Sequence, residues 1–354
     1  MSTDMPRRHA RRLSHPSHPA IANLAVLRKR RKLRSHREVA RYQASALAPS
    51  TQRAYASDLR HFRAWGGRIP ATPAMVASYL VAFAGRMKAS TLTRHLAAIA
   101  SAHVALAKPS PTQSATVRST LRGIRRVHGS SQVQAKPITL PVLRLITHRH
   151  KALSTARNLR DRALLLVGFA GGFRRSELVQ ITPSDLVFSR AGVTVTLRRS
   201  KTDPQARGRT VALPHAAGSL CPVKALKAWL AVVRQADPDM DSIPLLRRVD
   251  RYGRIGEPLS GAAVGAVLRQ RLALCGIETQ GFSAHSLRAG LVNAAARAGA
   301  PTWAIQRQTG HRSESTVHRY IRGLSPFEVN AFGCAAKGGT VPTPQQRASS
   351  TRLV

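Results

Sequence analysis

Apolar positions in this chain fall mostly at helical spacing. From about Ser45 the pattern turns helical. Tyr55, Leu59, Phe62 and Trp65 recur at steps of four, three and three, with Ser50 placed to cap the helix that carries them. A second helix is predicted over Pro73 to Phe83 with Met75, Tyr79, Leu80 and Phe83 inward. A third starts near Ser90 with Leu92, Leu96, Ile99 and Val104, and a fourth spans roughly Thr112 to Val127 with Val117, Leu121 and Ile124. Four short helices in so few residues predict a compact helical domain over 45–128. Gly129 to Pro137 is polar and aperiodic and reads as a linker.

A second domain is predicted over 138–327. It opens with Leu140 to Thr147 and a strong helix from Arg157 to Gly171. Two strands follow, Val193 to Arg198 and Arg209 to Leu213. The residues between them hold Asp203-Pro204 and Gly208, so the pair is predicted as a β-hairpin with Lys201 near its start. The remainder is predicted as helical: Pro222 to Ala236, Ser260 to Cys275, Ser286 to Ala298, Thr302 to Gln308, and a short helix around Tyr320. The fold class is therefore mainly α with a small β-hairpin or sheet (α+β). Residues 328–354 are Gly, Thr, Gln and Ser rich and read as a tail.

Charge changes the picture from a generic helical protein to one with a polyanionic partner. Lys and Arg number 57 against 15 acidic residues in 354, a formal net charge of +42. Such a chain repels itself unless it neutralises a polyanion, and nucleic acid is the leading candidate. Patterned apolar sequence on this scale argues against a nonspecific packaging protein. Residues 1–44 read as a basic flexible arm: the first forty hold eleven Lys or Arg against Asp4 and Glu38. Arg53, Arg60, Arg63, Lys88, Arg94, Arg118, Arg122, Arg125 and Arg126 fall on the solvent faces of the first four helices, where they suit phosphate contacts.

Cys221, Cys275 and Cys334 are odd in number and widely spaced, which fits a reducing compartment and no zinc pattern. The longest apolar run, Ala163 to Phe173, is about half a membrane span and is flanked by Arg162 and Arg174. No membrane partner and no secretion are expected.

Candidate chemistry lies in the second domain. Gly172-Phe173-Arg174-Arg175-Ser176-Glu177-Leu178 follows its long helix, and an arginine there can present a planar fork to two phosphate oxygens. Alone, the segment reads more readily as a surface Arg–Glu pair. His285 and Arg288 are three apart, on one face of a helix start where backbone amides also point outward. His311 precedes Tyr320 by nine residues, an interval that puts the two on opposite faces of a continuous helix. A break is needed for them to share a site, and Ser313 and Ser315 suit the start of a new helix. Lys201 reads alone as an exposed hairpin lysine, or as an amine able to donate a proton in a cationic site.

In this order, Arg174, Lys201, His285-x-x-Arg288, His311 and Tyr320 resemble the catalytic series of the tyrosine recombinase (phage integrase) family. The resemblance covers about residues 45–325; over the first half it rests on pattern and position only. It selects Arg174 over Arg175 and implies a helical core-binding domain that clamps DNA beside a catalytic domain. It also implies site residues. Tyr320 would attack the scissile phosphate to give a 3′-phosphotyrosyl link, and Arg174, Arg288 and His311 would stabilise the transition state. Lys201 would protonate the leaving 5′ oxygen, and His285 would accept a proton or hold phosphate. A free phenol, with a pKa of about 10, is a poor nucleophile at neutral pH, and a cationic pocket favours its ionised form. No metal and no cofactor are implied.

The implied activity is site-specific strand cleavage and rejoining on double-stranded DNA by a homotetramer on paired sites, with accessory DNA-bending proteins as further partners. A cytoplasmic, nucleoid-associated protein is expected. The alternatives are a DNA-binding protein of this fold without strand exchange and a type IB topoisomerase-like enzyme. In the tail region, Phe327, Val329 and Phe332 would suit docking on a neighbouring subunit.

Overall fold

The computed structural model describes Glu38 and residues 46–129, 134–198 and 208–321. The basic arm (apart from Glu38), Lys201 and the residues after Ile321 therefore lie outside the described residues. The chain divides into two compact units, Met1–Gln132 and Val133–Val354.

In the first unit, four helices enclose one core. α1 (Pro49–Ala64) starts with proline at its first position, and its preceding residue is Ala48. The cap expected at Ser50 is not used, because proline already supplies helical φ and lacks the amide that a cap would satisfy. α2 (Pro73–Ala82) is capped by Thr72, whose hydroxyl accepts from the Met75 amide at 3.2 Å. α3 (Ala89–Ala105) follows. A single 3-10 turn at Pro111–Gln113 then precedes α4 (Ala115–His128), which is capped by Ser114. Phe62, Val76, Tyr79, Leu80, Leu92, Ile99, Val117 and Ile124 form the core, with Leu59, Trp65, Met75 and Phe83 against it.

Val104, expected inward, is 73% exposed. It lies five residues past Ile99, about 140° around the helix from the buried stripe. The nine basic residues named above are all exposed, but Arg94 is not a free phosphate ligand. It chelates buried Asp58, Nε to Oδ2 at 2.7 Å and Nη2 to Oδ1 at 2.8 Å.

The second unit is built around α6 (Thr155–Gly171), which follows the short α5 (Leu140–Ile146). The apolar run on α6 is buried almost all round, with Ala163 to Leu165 fully enclosed. Each large apolar side chain there contributes about 1.5–3 kcal/mol of transfer free energy. Among the described residues no helix is long and apolar enough to cross a membrane.

α7 (Arg175–Leu178) leads into a three-stranded antiparallel sheet, β1 (Leu186–Phe188), β2 (Gly192–Leu197) and β3 (Arg209–Pro214), in the order β1-β2-β3. β2 and β3 are the expected strand pair, with Val195 opposite Val211. β1 was not expected. Neither was a second antiparallel pair, β4 (Arg247–Val249) and β5 (Ile255–Pro258), which corrects the reading of that region as wholly helical. Strands of three or four residues are too short to show alternation. α8 (Pro222–Ala236) buries Trp229, whose indole N–H donates to the Leu245 carbonyl at 2.9 Å. α9 (Gly261–Leu274), α10 (His285–Arg297), α11 (Thr302–Thr309) and α12 (Glu314–Ile321) complete the unit. The mainly helical α+β class expected from the sequence holds.

Candidate active site

Two helix ends form the floor of the site. α6 stops at Gly172 and α11 at Gly310, both left-handed, with φ of +56° and +69°. Such φ values suit glycine. A Cβ on Gly172 would also strike Leu291 and Thr309, and one on Gly310 would press on the Arg209 guanidinium at 2.9 Å. Each glycine turns its carbonyl toward an arginine from another part of the unit. Arg288 donates from Nη1 to the Gly172 and Thr309 carbonyls, both at 2.6 Å, and Arg174 donates from Nη2 to the Gly310 carbonyl at 3.3 Å. Carbonyl-rich helix C-termini favour cations at these positions.

Arg174 sits just before α7, where Glu177 reaches back. The Glu177 carboxylate accepts from the Arg174 amide at 2.9 Å and from its Nη1 at 2.6 Å. Arg209, the first residue of β3, approaches from the opposite side and donates to Glu177 Oε2 at 3.2 Å and to the Gln308 carbonyl at 2.8 Å. Two guanidinium groups thus share one buried carboxylate. Arg288 is 1% exposed, and its Nη2 is enclosed with no hydrogen-bond partner among the described residues. Burial first, then the charge of Arg174, lowers its pKa to about 10, still well above neutrality. Burial also pulls Arg209 down from the ordinary arginine value, against the opposing pull of Glu177.

His285 opens α10 one turn before Arg288, so both face the same place. Its Nε2 lies 2.5 Å from the Tyr320 hydroxyl. Crowding by surrounding protein, then the charges of Arg288, Arg174 and Arg175, holds its pKa below the ordinary histidine value. The ring stays neutral near pH 7 and, with its proton on Nδ1, offers Nε2 as an acceptor for the phenolic proton. His311 follows Gly310 directly. Its pKa is lowered to about 3 by burial and then by Arg288, Arg174, His285 and Arg209.

The break expected between His311 and Tyr320 is present. α11 ends at Thr309, and α12 begins at Glu314 after Ser313, whose hydroxyl meets that of Thr316 at 2.8 Å. Eight residues are too few to hold a helix alone. Val317 anchors α12 in a small apolar cluster with Val292 and Ile305, which brings Tyr320 over the site. The Tyr320 ring centroid lies 5.3 Å from that of His311 and 5.7 Å from that of His285.

Five of the six sequence-predicted residues, Arg174, His285, Arg288, His311 and Tyr320, therefore converge. The sixth, Lys201, lies outside the described residues. Arg175 is exposed and lies beside Gly261 at the start of α9. Arg209 and Thr309 belong to the cluster and were missed. Arg209 looked like any strand-edge cation and Thr309 like a helix end. Among the described residues no group of three or more His, Cys, Asp or Glu is placed to hold a metal ion.

The chain is similar to known proteins over much of its length. The model of the Phage integrase family matches residues 141–325. The chain is 34% identical over 295 residues to an integrase/recombinase xerD homolog of Selenomonas ruminantium, covering 80% of this chain and 85% of that protein. It is 32% identical over 170 residues to the tyrosine recombinase XerC of Pelotomaculum thermopropionicum, covering 47% and 51% of the two chains. The fold is similar to that of XerH site-specific recombinase bound to palindromic difH substrate in a post-cleavage complex. There the TM-score is 0.55 at 18% identity, over 75% of this chain and 72% of the other. It is also similar to lambda integrase in a tetramer bound to a Holliday junction, with a TM-score of 0.55 at 17% identity over 82% and 78%. These relatives do not favour the DNA-binding-only or topoisomerase readings. The chain belongs to the phage integrase family and is a tyrosine-type site-specific recombinase.

Proposed function

We propose that Tyr320 is the nucleophile of this recombinase and that Arg174, Arg288 and His311 hold the scissile phosphate of double-stranded DNA. The observation that carries this reading is the 2.5 Å contact of the Tyr320 hydroxyl with His285 Nε2, beside an enclosed guanidinium nitrogen of Arg288 without a partner among the described residues. The phenol gives its proton to His285 Nε2 as its oxygen bonds to phosphorus. The bond from phosphorus to the 5′ oxygen breaks, and that oxygen takes a proton from Lys201. The product is a 3′-phosphotyrosyl link and a free 5′ hydroxyl. A 5′ hydroxyl from a second strand then reverses the attack. Charge builds on the phosphoryl oxygens in the transition state, where fixed guanidinium groups are most effective. The phosphotyrosyl bond conserves the energy of the broken bond, so these steps need no nucleotide cofactor and no metal.

The same reading makes residues 45–128 the DNA-clamping domain and 138–327 the catalytic domain. The basic arm 1–44 and the tail 328–354 act outside that core. The exposed arginines of α1 to α4 support phosphate contacts there. A homotetramer on paired sites, accessory bending proteins and a nucleoid-associated location complete the proposal.

The test is strand exchange on DNA fragments flanking the gene, with a chelator present. Wild type should exchange strands. Tyr320→Phe should bind the same fragments in a gel shift and exchange none of them. Undiminished exchange by Tyr320→Phe would overturn the assignment.

A further inference from the structure

The hydrogen bonds around His311 fix where its proton sits. Thr309 Oγ1 lies 2.6 Å from the Ile305 carbonyl and 2.8 Å from His311 Nδ1. A carbonyl only accepts, so the single hydroxyl proton is committed to Ile305. Thr309 must then accept from His311, which places a proton on Nδ1. On the other side of the ring, Arg288 Nε lies 3.3 Å from His311 Nε2. A guanidinium only donates, so Nε2 presents a lone pair. Two independent partners specify one tautomer. Thr309 is fully buried at the end of α11, so solvent does not compete for its oxygen.

This arrangement has a consequence for the role proposed above, on which it rests. A neutral His311 with its proton on Nδ1 has nothing to donate to a phosphoryl oxygen. It becomes a donor at Nε2 only by gaining a second proton from solvent. We infer that Thr309 is a positioning residue that holds the His311 proton on Nδ1, so that His311 acts on the scissile phosphate as an imidazolium formed when DNA binds. The groups facing the ring are Arg288 and His285 from α10, Arg174 ahead of α7, Arg209 from β3 and Tyr320 from α12. Glu177 lies behind Arg174 and Arg209. The cations oppose ring protonation in the free protein, and a phosphate anion reverses that balance.

The test compares Thr309→Val with Thr309→Ser. Val keeps the shape and removes the acceptor; Ser keeps the acceptor. In spectra of protein labelled with ¹⁵N-histidine, and with His311 assigned through His311→Gln, wild type and Thr309→Ser should show a protected Nδ1–H resonance. Thr309→Val should lose it. Cleavage rates are then followed against pH. In Thr309→Val a neutral ring is free to carry its proton on Nε2 once Arg288 turns to phosphate. The ratio of its rate to that of wild type should therefore rise with pH, by up to about tenfold per unit above the bound-state pKa. Using the ratio cancels any pH dependence that both proteins share. Thr309→Ser should follow the wild-type profile. A wild-type His311 with its proton on Nε2, or a ratio that is flat in pH, would overturn the inference. If His311→Gln cleaves as fast as wild type, the role of His311 at the phosphate fails and the pH consequence fails with it. The resonance itself reads the tautomer separately.

Discussion

The two units of this protein each bury a cluster made from the same residue types, and the clusters differ in charge balance. In the first unit, Arg94 chelates Asp58, and His95 Nε2 lies 3.1 Å from the same carboxylate. Tyr79 Oη lies 2.5 Å from His95 Nδ1 and 2.8 Å from His61 Nδ1. Donors and acceptors alternate along this chain, from His61 to Tyr79 to His95 to Asp58, and one acid faces one arginine. Burial, then Asp58, pushes the Tyr79 pKa up to about 12, so its phenol stays protonated. In the second unit two arginines share one glutamate, a third, Arg288, has an enclosed guanidinium nitrogen with no partner among the described residues, and the tyrosine is only half-buried. The first cluster is complete in itself. The second carries an excess of positive charge that a phosphodiester would balance. An arginine, a histidine and a tyrosine in contact are common to both; surplus charge and an accessible oxygen set the second apart.

The sharpest way to break this contrast is a matched pair of substitutions. Arg288→Lys should lower cleavage by about 10²–10³, because one ammonium cannot span two carbonyls and a phosphate in a plane. Arg94→Lys should leave cleavage by bound protein unchanged and cost no more than about 1 kcal/mol of stability, since Arg94 is half exposed. Equal losses of cleavage rate in single-turnover assays would erase the distinction.

Next in size is Gly310→Ala. It forces a side chain into a left-handed position against Arg209, at a cost of about 1–3 kcal/mol. Displacing His311 by as little as an ångström should slow cleavage by about 10²-fold, read in the same assay.

Asp58→Asn tests the closed cluster. It removes the charge opposite Arg94 and unpairs the relay, and should cost about 2–3 kcal/mol in denaturant unfolding, less than a fully buried pair because Arg94 reaches solvent. Cleavage by the remaining folded protein should not change.

A last test is acid stability. His311 has a pKa of about 3 in the folded protein against about 6.5 in an unfolded chain. Between these values the unfolded state binds more protons, so stability rises with pH across that window and falls as pH drops through it. His95, lowered chiefly by burial, acts in the same direction in the first unit. His311→Gln should flatten the acid slope of the second unit in pH-dependent unfolding and leave that of the first unaltered.

Much of this fold was legible in the chain because helices of eight residues or more repeat their apolar positions several times. α8 was placed at its observed ends and α9 to α11 within a residue or two, and the short helix expected around Tyr320 is α12. The strands β1, β4 and β5 were not, since three or four residues give periodicity no room. Val104 was misplaced by carrying an apolar stripe one residue too far. At the site, the five residues that converge were readable through their order and spacing. Those that hold them were not. Arg209 is set by a glycine turn and a carboxylate far away in the chain, and Thr309 by a carbonyl one turn back and a histidine two residues on. In the first unit, Tyr79 was read as core and is core, but the same pattern conceals its place in a polar relay.

The claim that the charge surplus marks the phosphate site and Tyr320 the attacking group is tested most directly by covalent trapping. Nicked fragments from the DNA flanking the gene would be incubated with wild type and with Tyr320→Phe, resolved on denaturing gels, and the linked peptide mapped by mass spectrometry. The account predicts a metal-independent adduct on Tyr320 that is absent from the variant. An adduct on any other residue, or one that survives Tyr320→Phe, would contradict it.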